Sequence, residues 1–183
     1  MNNTNRAVSS ALDGTKTAEN LRQAFGKEAE VFAKGSIFAS LADSDDDASA
    51  KRTLLEHSDN DKRHAELWLS YLDELGDTYE NLMTLAAIKD AMNGDIYPAM
   101  AEIADEEGFD EIAEKMRLVS AVKKSQSDML KAEGDRIADA DALYDSNPET
   151  SWHCCSCGYN IRGNTPPEMC PLCSYPAGYF AKG

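Results

Sequence analysis

Two pairs of cysteines near the end of the chain have the spacing of metal ligands. Cys154 and Cys157 form a C-x-x-C pair, and Cys170 and Cys173 form a C-P-x-C pair after twelve intervening residues. Thiolates in two such pairs close a tetrahedral four-sulfur site around iron or zinc. An iron site would transfer one electron, whereas a zinc site would be structural. The spacing alone leaves both metals open.

The segment that carries these cysteines, 151–183, is too short to fold on apolar burial alone. A metal must therefore organise it. Its fifth thiol, Cys155, lies between two ligands, and we expect a spare surface cysteine there rather than a redox-active group. Cysteines in C-x-x-C pairs are typical of metal sites in a reducing compartment. We predict a cytoplasmic protein.

Charge and hydropathy exclude two classes of partner. The net charge is −15, which argues against nucleic acid because phosphate binding requires a basic face. No stretch approaches the length of a membrane span, and the N-terminus lacks the features of a secretion signal. We therefore expect neither a nucleic acid nor a membrane as partner.

A second group of chemically capable residues lies in the stretch 54–75. If this stretch is helical, Asp61 and His64 lie one turn apart on the stripe that should face inward, and His57 shares that stripe. Burying such groups unpaired would cost several kcal/mol, roughly. The other helices must therefore supply charged partners, or a metal must bind. His57 is expected to be a hydrogen-bonded core residue rather than a ligand.

Apolar periodicity predicts four long helices joined by short turns, which together form a helix bundle. The first begins at a cap at Thr17, the second ends at Gly76, the third runs from Thr78 to Gly108, and the fourth ends near Ile137. The inner face of each helix carries polar residues near its middle: Glu28, Asp61 with His64, Lys89, and Lys123 with Gln126.

Four segments follow from these patterns. We predict a flexible N-terminus at 1–15, a four-helix bundle at 16–138, a linker at 139–150 and a small metal domain at 151–183. The linker prediction rests on a short, acidic stretch that contains a proline. The fold class is therefore mainly α, with a small cysteine-rich domain at the C-terminus.

Three interpretations of the polar seam remain open. A two-metal carboxylate site is disfavoured, because a lysine about 4 Å from a cation would cost on the order of 4 kcal/mol. We favour a metal-free ionic cluster, in which Lys89 and Lys123 neutralise Glu28 and Asp61. The third interpretation is a lysine that acts as a base or Schiff-base former, or one metal ion held by Glu28, Asp61 and His64.

Several motifs resemble the rubrerythrin family. The run W-x-C-x-x-C-G-Y…P-E-x-C-P-x-C is similar to its rubredoxin-like domain. The segments GTKTAENLRQAFGKE, DNDKRHA and IYPAMAEIADEEGFDEIA resemble its ferritin-like diiron domain, in the same order. The resemblance covers about residues 13–183. It implies a peroxide-reducing oxidoreductase in which a four-cysteine iron passes electrons to a carboxylate-bridged diiron site.

The resemblance also assigns positions to the diiron site, and this chain departs from the family at most of them. The positions are Glu28, Asp61, His64, Lys89, Met92, Lys123 and Gln126. Only the first three keep residue types that bind iron well, and Asp61 stands where the family has glutamate. We therefore predict one iron, or a zinc, in the four-cysteine site and no diiron centre. Whether the chain is an enzyme is left open.

The number of residues between the second and third helices limits how the chain can assemble. Asp61 and Lys89 are separated by too few residues for the long crossover of a ferritin-like bundle, because a parallel return would span roughly 35–40 Å. We favour a homodimer that exchanges helix pairs over a plain antiparallel bundle. Glu28, Asp61 and His64 of one chain would then face Lys89 and Lys123 of the other.

The leading functional hypothesis is a rubrerythrin-like electron-transfer protein with a working four-cysteine iron and a degenerate diiron site. One alternative is a non-catalytic scaffold or interaction protein with structural zinc. Another is a peroxide-reducing rubrerythrin with an altered metal site. The redox partner is a protein that the sequence does not name.

Overall fold

The computed structural model describes residues 9–139 and 143–183 of the chain. The chain divides into two compact units, one that ends at Asp77 and one that begins at Thr78. The boundary lies in the connection between the second and third long helices. The predicted flexible segment 1–15 falls largely outside the described residues, and its described part contains a helical turn at 9–12. None of the described helices is long and apolar enough to cross a membrane.

The first unit is a pair of antiparallel helices, α1 at Lys16–Ser44 and α2 at Ala48–Tyr71. The N-cap of α1 is Thr15, whose side-chain oxygen accepts a hydrogen bond from the N–H of Ala18 at 3.2 Å. The predicted cap, Thr17, was therefore wrong by two residues and lies inside the helix. Asp47 caps α2 by accepting from the N–H of Ala50 at 2.9 Å, which satisfies a donor that the helix leaves unpaired.

Small side chains form the seam between α1 and α2. Ser58 and Ala65, seven residues apart, are buried on α2. The Ser58 hydroxyl donates to the carbonyl of Phe32 at 2.8 Å, which brings the two backbones close together. The predicted inward stripe is displaced as a result, because the face centred on Ser58 and Ala65 packs against α1. His57 and His64 are exposed in this unit, so the prediction of a buried His57 was wrong.

The connection after α2 is longer than predicted. The helix ends at Tyr71, and the N–H of Leu72 bonds to the carbonyl of Trp68 at 3.2 Å, so Gly76 is not its cap. Residues 72–77 form an irregular connection in which Asp73 adopts a positive φ of 58°.

The second unit begins with another antiparallel helix pair. Its elements are α3 at Thr78–Ala91, a π-helical turn at Met92–Ile96, α4 at Tyr97–Glu106 and α5 at Asp110–Ala138. The predicted third helix is thus interrupted. Pro98 lacks an N–H and cannot make the regular bond one turn back, which explains a wider turn immediately before it. The Ser120 hydroxyl on α5 donates to the carbonyl of Asn93 in this π turn at 3.0 Å.

The seam of this pair also consists of small residues. Its buried positions on α5 recur at intervals of seven: Ala113, Ser120, Ser127 and Gly134. The Ser127 hydroxyl donates to the carbonyl of the buried Ala86 at 3.1 Å. A seven-residue repeat keeps one face of a helix against its partner over its whole length. The larger apolar residues of the predicted stripes are displaced to the margin, and Leu85, Ile103 and Ile112 are exposed.

The C-terminal part of the unit contains a small antiparallel sheet. Its strands are β1 at Ser151–Cys154, β2 at Asn160–Arg162 and β3 at Phe180–Lys182, in the order β2-β1-β3. Trp152, Cys154, Cys170 and Phe180 form its core. Part of the predicted linker 139–150 belongs to this fold, because Leu143 packs on that core. The Asp145 carboxylate also pairs with Lys182 at 3.1 Å.

The small-residue seams lead to a prediction about two glycines. A Cβ added at Gly35 would lie 3.0 Å from the Cβ of Ser58, an atom that cannot move without its backbone. A Cβ at Gly134 would lie equally close to the sulfur of Met83, at the flexible end of a side chain. We predict that Gly35→Ala lowers the free energy of unfolding by about 1–2 kcal/mol.

The matched control, Gly134→Ala, is expected to leave the stability unchanged or to raise it by up to about 1 kcal/mol, because alanine favours the helix. Urea unfolding followed by circular dichroism measures both values. Equal effects of the two substitutions would show that the α1–α2 seam is no tighter than the α3–α5 seam.

Candidate metal centres

Two tight turns present the four predicted cysteines to one another. In the first turn the N–H of Gly158 bonds to the carbonyl of Cys154 at 2.8 Å, and in the second the N–H of Ser174 bonds to the carbonyl of Cys170 at 2.8 Å. Both Gly158 and Ser174 have positive φ angles, 77° and 62°. The two turns are therefore alike in hydrogen bonding and in backbone conformation, as expected of a pair of metal-binding knuckles.

The four sulfur atoms fit a tetrahedral metal ion. The Sγ atoms of Cys154 and Cys173 are 3.7 Å apart, and those of Cys157 and Cys170 are 3.6 Å apart. All four lie within 4.8 Å of one another. Metal–sulfur bonds of about 2.3 Å in a tetrahedron place the sulfurs about 3.8 Å apart. The sulfur positions are thus those that iron or zinc requires.

Burial and protonation differ among the four thiols. Cys154 and Cys170 are buried, whereas Cys157 is exposed, so the cluster reaches the surface on one side. The backbone N–H of Tyr159 acts to lower the pKa of Cys157, but desolvation and the neighbouring cysteines raise it to about 12. Desolvation acts to raise the pKa of Cys170, but the N–H groups of Cys173 and Leu172 lower it to about 7.

Cys155 lies apart from this cluster. It is exposed, and its Sγ lies 3.9 Å from the Nε2 atom of His153. The cluster of four ligand sulfurs does not include it.

A second group of possible ligands lies in the first unit. One carboxylate oxygen each from Glu28 and Asp61 and one ring nitrogen of His64 lie within 4.8 Å of one another. The Oε2 atom of Glu28 is 3.4 Å from Nδ1 of His64. The side chains of His64 and Glu28 are 54% and 26% exposed. α1 and α2 thus bring together the three residues of the third interpretation, but His64 is not buried.

The other predicted positions of the diiron site lie in the second unit. Lys89, near the end of α3, donates from Nζ to Oε1 of Gln126 on α5 at 2.8 Å. Met92 begins the π turn, and Lys123 lies one turn before Gln126; both are half-buried. Three of the seven positions carry residue types that bind metals, and these three lie on the first helix pair. The other four positions carry other residue types and lie on the second helix pair.

The chain is similar to known proteins over most of its length. Residues 152–181 match the family described as rubrerythrin, rubredoxin-like domain. Rubrerythrin-1 of Clostridium acetobutylicum is 30% identical over 187 residues, covering 93% of this chain and 95% of the relative. Rubrerythrin of Porphyromonas gingivalis is also 30% identical, covering 94% and 92%.

The chain belongs to the rubrerythrin family. Its fold accordingly combines a mainly helical region with a C-terminal rubredoxin-like domain, as the sequence predicted. A solved structure of fully reduced nigerythrin is 22% identical, with a TM-score of 0.35 and coverage of 92% and 87%. The four-cysteine site of this rubrerythrin-family chain is a metal site, in agreement with the prediction of a metal there.

Some features of the helical region were missed from the sequence. The π turn interrupts a segment that periodicity treats as one helix, although Gly94 within the turn and Pro98 shortly after it are signals of irregularity. The seven-residue repeat of Ala113, Ser120 and Ser127 was also visible. It was overlooked because a search for large apolar residues passes over alanine and serine.

The geometry predicts which cysteines hold the metal. Cys170→Ser is expected to remove most of the bound metal, because a hydroxyl is a poor replacement for a thiolate that closes a tetrahedron. Cys155→Ser should keep the metal content and the visible absorption of the unmodified protein. Metal analysis and absorption spectroscopy of anaerobically purified protein measure both. Loss of metal in Cys155→Ser would contradict the assignment of the four ligands.

Proposed function

We propose that this rubrerythrin-family protein is a one-electron carrier whose working centre is the four-cysteine iron. The observation that carries the proposal is the convergence of four sulfurs within 4.8 Å, with one of the ligands exposed. An iron ion in four thiolates supplies a reversible one-electron couple. Cys157, at the exposed edge, gives a short path between that ion and a protein that docks on the surface.

The surrounding residues tune and protect this centre. Trp152 and Phe180 pack around the buried Cys154 and Cys170, which keeps water from two of the four sulfurs. The Trp152 ring is fixed by a hydrogen bond from its Nε1 atom to the carbonyl of Gly163 at 2.9 Å. Burial and N–H groups directed at the sulfurs both affect the reduction potential of such a centre.

A two-iron centre does not fit the helical region. Ammonium groups at Lys89 and Lys123 stand at two of its ligand positions, and a lysine about 4 Å from a cation costs on the order of 4 kcal/mol at an effective dielectric near 20. Met92 and Gln126 replace two further ligands with weak or neutral groups. We therefore propose that the diiron site is degenerate and that peroxide reduction, which the family resemblance implies, is lost.

The proposal extends to the compartment and the partners. Four cysteines gathered for a metal need an environment that keeps thiols reduced, which favours the cytoplasm. The electron donor and acceptor are redox proteins whose identity the chain does not specify.

Metal content tests the proposal directly. Anaerobically purified protein is expected to contain one iron per chain, with thiolate-to-iron absorption that bleaches on reduction by one electron. Elemental analysis and a redox titration measure the two quantities. Three irons per chain would overturn the proposal, and one zinc without colour, in protein grown with ample iron, would favour the structural scaffold instead.

Peroxide reduction gives a separate test. The reduced protein is expected to consume hydrogen peroxide no faster than a control in which Glu28 is replaced by alanine, because no two-iron centre is present to react. Stopped-flow oxidation of the four-cysteine iron by peroxide measures the rate. Rapid turnover in the unmodified protein that disappears in Glu28→Ala would show an active peroxidase with an altered metal site.

A further inference from the structure

The ammonium group of Lys182, on β3, lies over the ring of Trp152. Its Nζ atom is 5.5 Å from the centre of the ring. The strand register explains this contact, because Trp152 on β1 lies directly opposite Lys182, and facing residues of an antiparallel pair project to the same side of a sheet. Trp152 is buried in the core that also contains Cys154 and Cys170. A single aromatic ring thus connects a positive charge with two of the metal ligands.

Contacts with the chain that precedes β1 fix the position of this ammonium group. The Nζ atom of Lys182 pairs with Oδ2 of Asp145 at 3.1 Å and donates to the carbonyl of Tyr144 at 3.4 Å. The N–H of Asp145 donates to the carbonyl of Asn164 at 2.7 Å, and its Oδ1 atom accepts from the N–H of Asn147 at 2.9 Å. Because the carboxylate is anchored in this way, it holds the ammonium group beside the ring.

The pair of Lys182 and Asp145 is partly shielded from water. The Asp145 side chain is 27% exposed and that of Lys182 is 48% exposed. The N–H of Asn147 and the Lys182 ammonium group lower the pKa of Asp145 below its ordinary value, so the carboxylate is charged at neutral pH. A second ion pair of this domain joins Arg162 to Glu149 at 3.1 Å, and both of its side chains are 72% exposed. Water and salt therefore screen the second pair more strongly than the first.

We infer that Lys182 raises the reduction potential of the four-cysteine iron and that Asp145 opposes this effect. Four thiolates make such a centre negative, and the centre becomes more negative by one charge when the iron is reduced. A nearby ammonium group favours the more negative state, whereas a nearby carboxylate disfavours it. This role rests on the proposed function, because it requires an iron that accepts and releases one electron. Lys182 and Asp145 thereby tune a centre to which neither of them is a ligand.

Removal of each charge in turn tests this role. Lys182→Met keeps most of the apolar stem beside Trp152 but removes the charge. It is expected to lower the equilibrium constant for reduction about threefold, which lowers the potential by about 28 mV at about 59 mV per tenfold. Asp145→Asn removes the opposing charge and should raise the potential by a similar amount. Lys182→Arg keeps the charge and should keep the potential of the unmodified protein, as measured by redox titration of the visible absorption.

The exposed ion pair of the same domain provides matched controls. Arg162→Met and Glu149→Gln remove the same two kinds of charge where water screens them, and each should change the equilibrium constant by less than about 1.5-fold. The absorption spectrum of the iron centre and thermal unfolding show whether each variant keeps its fold. Where Lys182→Met does not fold, the sign of the shift in Asp145→Asn decides.

The possible results separate this role from the proposed function. If Lys182 only packs against the ring, Lys182→Met keeps the potential of the unmodified protein, and the inference is overturned while the electron carrier stands. Shifts of the same sign in Lys182→Met and Asp145→Asn, or equal shifts in the two control variants, would overturn it as well. An unmodified protein without a reversible one-electron couple would overturn the proposed function, and this role with it.

Discussion

Neutralisation of charge in the middle of the helices is the constraint on which the helical region depends. In the ferritin-like arrangement that the family implies, carboxylates near mid-height are neutralised by metal ions. This chain keeps Glu28, has Asp61 where the family has glutamate, and places lysines at positions 89 and 123. A buried carboxylate without a counterion would cost several kcal/mol, roughly. In the proposal of a degenerate diiron site, the lysines are cations that the chain itself supplies.

The small domain obeys a different constraint. Its core contains few large side chains, and two of the core positions, Cys154 and Cys170, are themselves metal ligands. Apolar burial and metal binding are therefore not separate contributions to its stability, because the same residues provide both. The stretch from Leu143 onward adds a further contact to this core. For this reason the four-cysteine site can stay intact while the helical site changes.

Much of the fold and of the four-cysteine site could be predicted from the sequence, and the predictions that were wrong failed for physical reasons. Cysteine spacing predicted the four-sulfur cluster because short knuckle turns determine its geometry almost completely. The helices were recognised by their period, but the faces on which they pair were misjudged. Large apolar residues suggested one stripe, whereas close contact of two helices selects small ones such as Ser58 and Ser127. The π turn was missed because it depends on one proline and on a tertiary hydrogen bond from Ser120.

Small side chains in the helix seams explain why large apolar side chains are exposed on both helix pairs. A seam of alanine, serine and glycine holds two helices close together, but it buries little apolar surface per residue. The larger side chains, such as Ile88 and Val122, are left on the outer face of the pair. Close backbone approach and hydroxyl-to-carbonyl hydrogen bonds, such as that from Ser127 to Ala86, therefore hold the pair together more than burial of large side chains does.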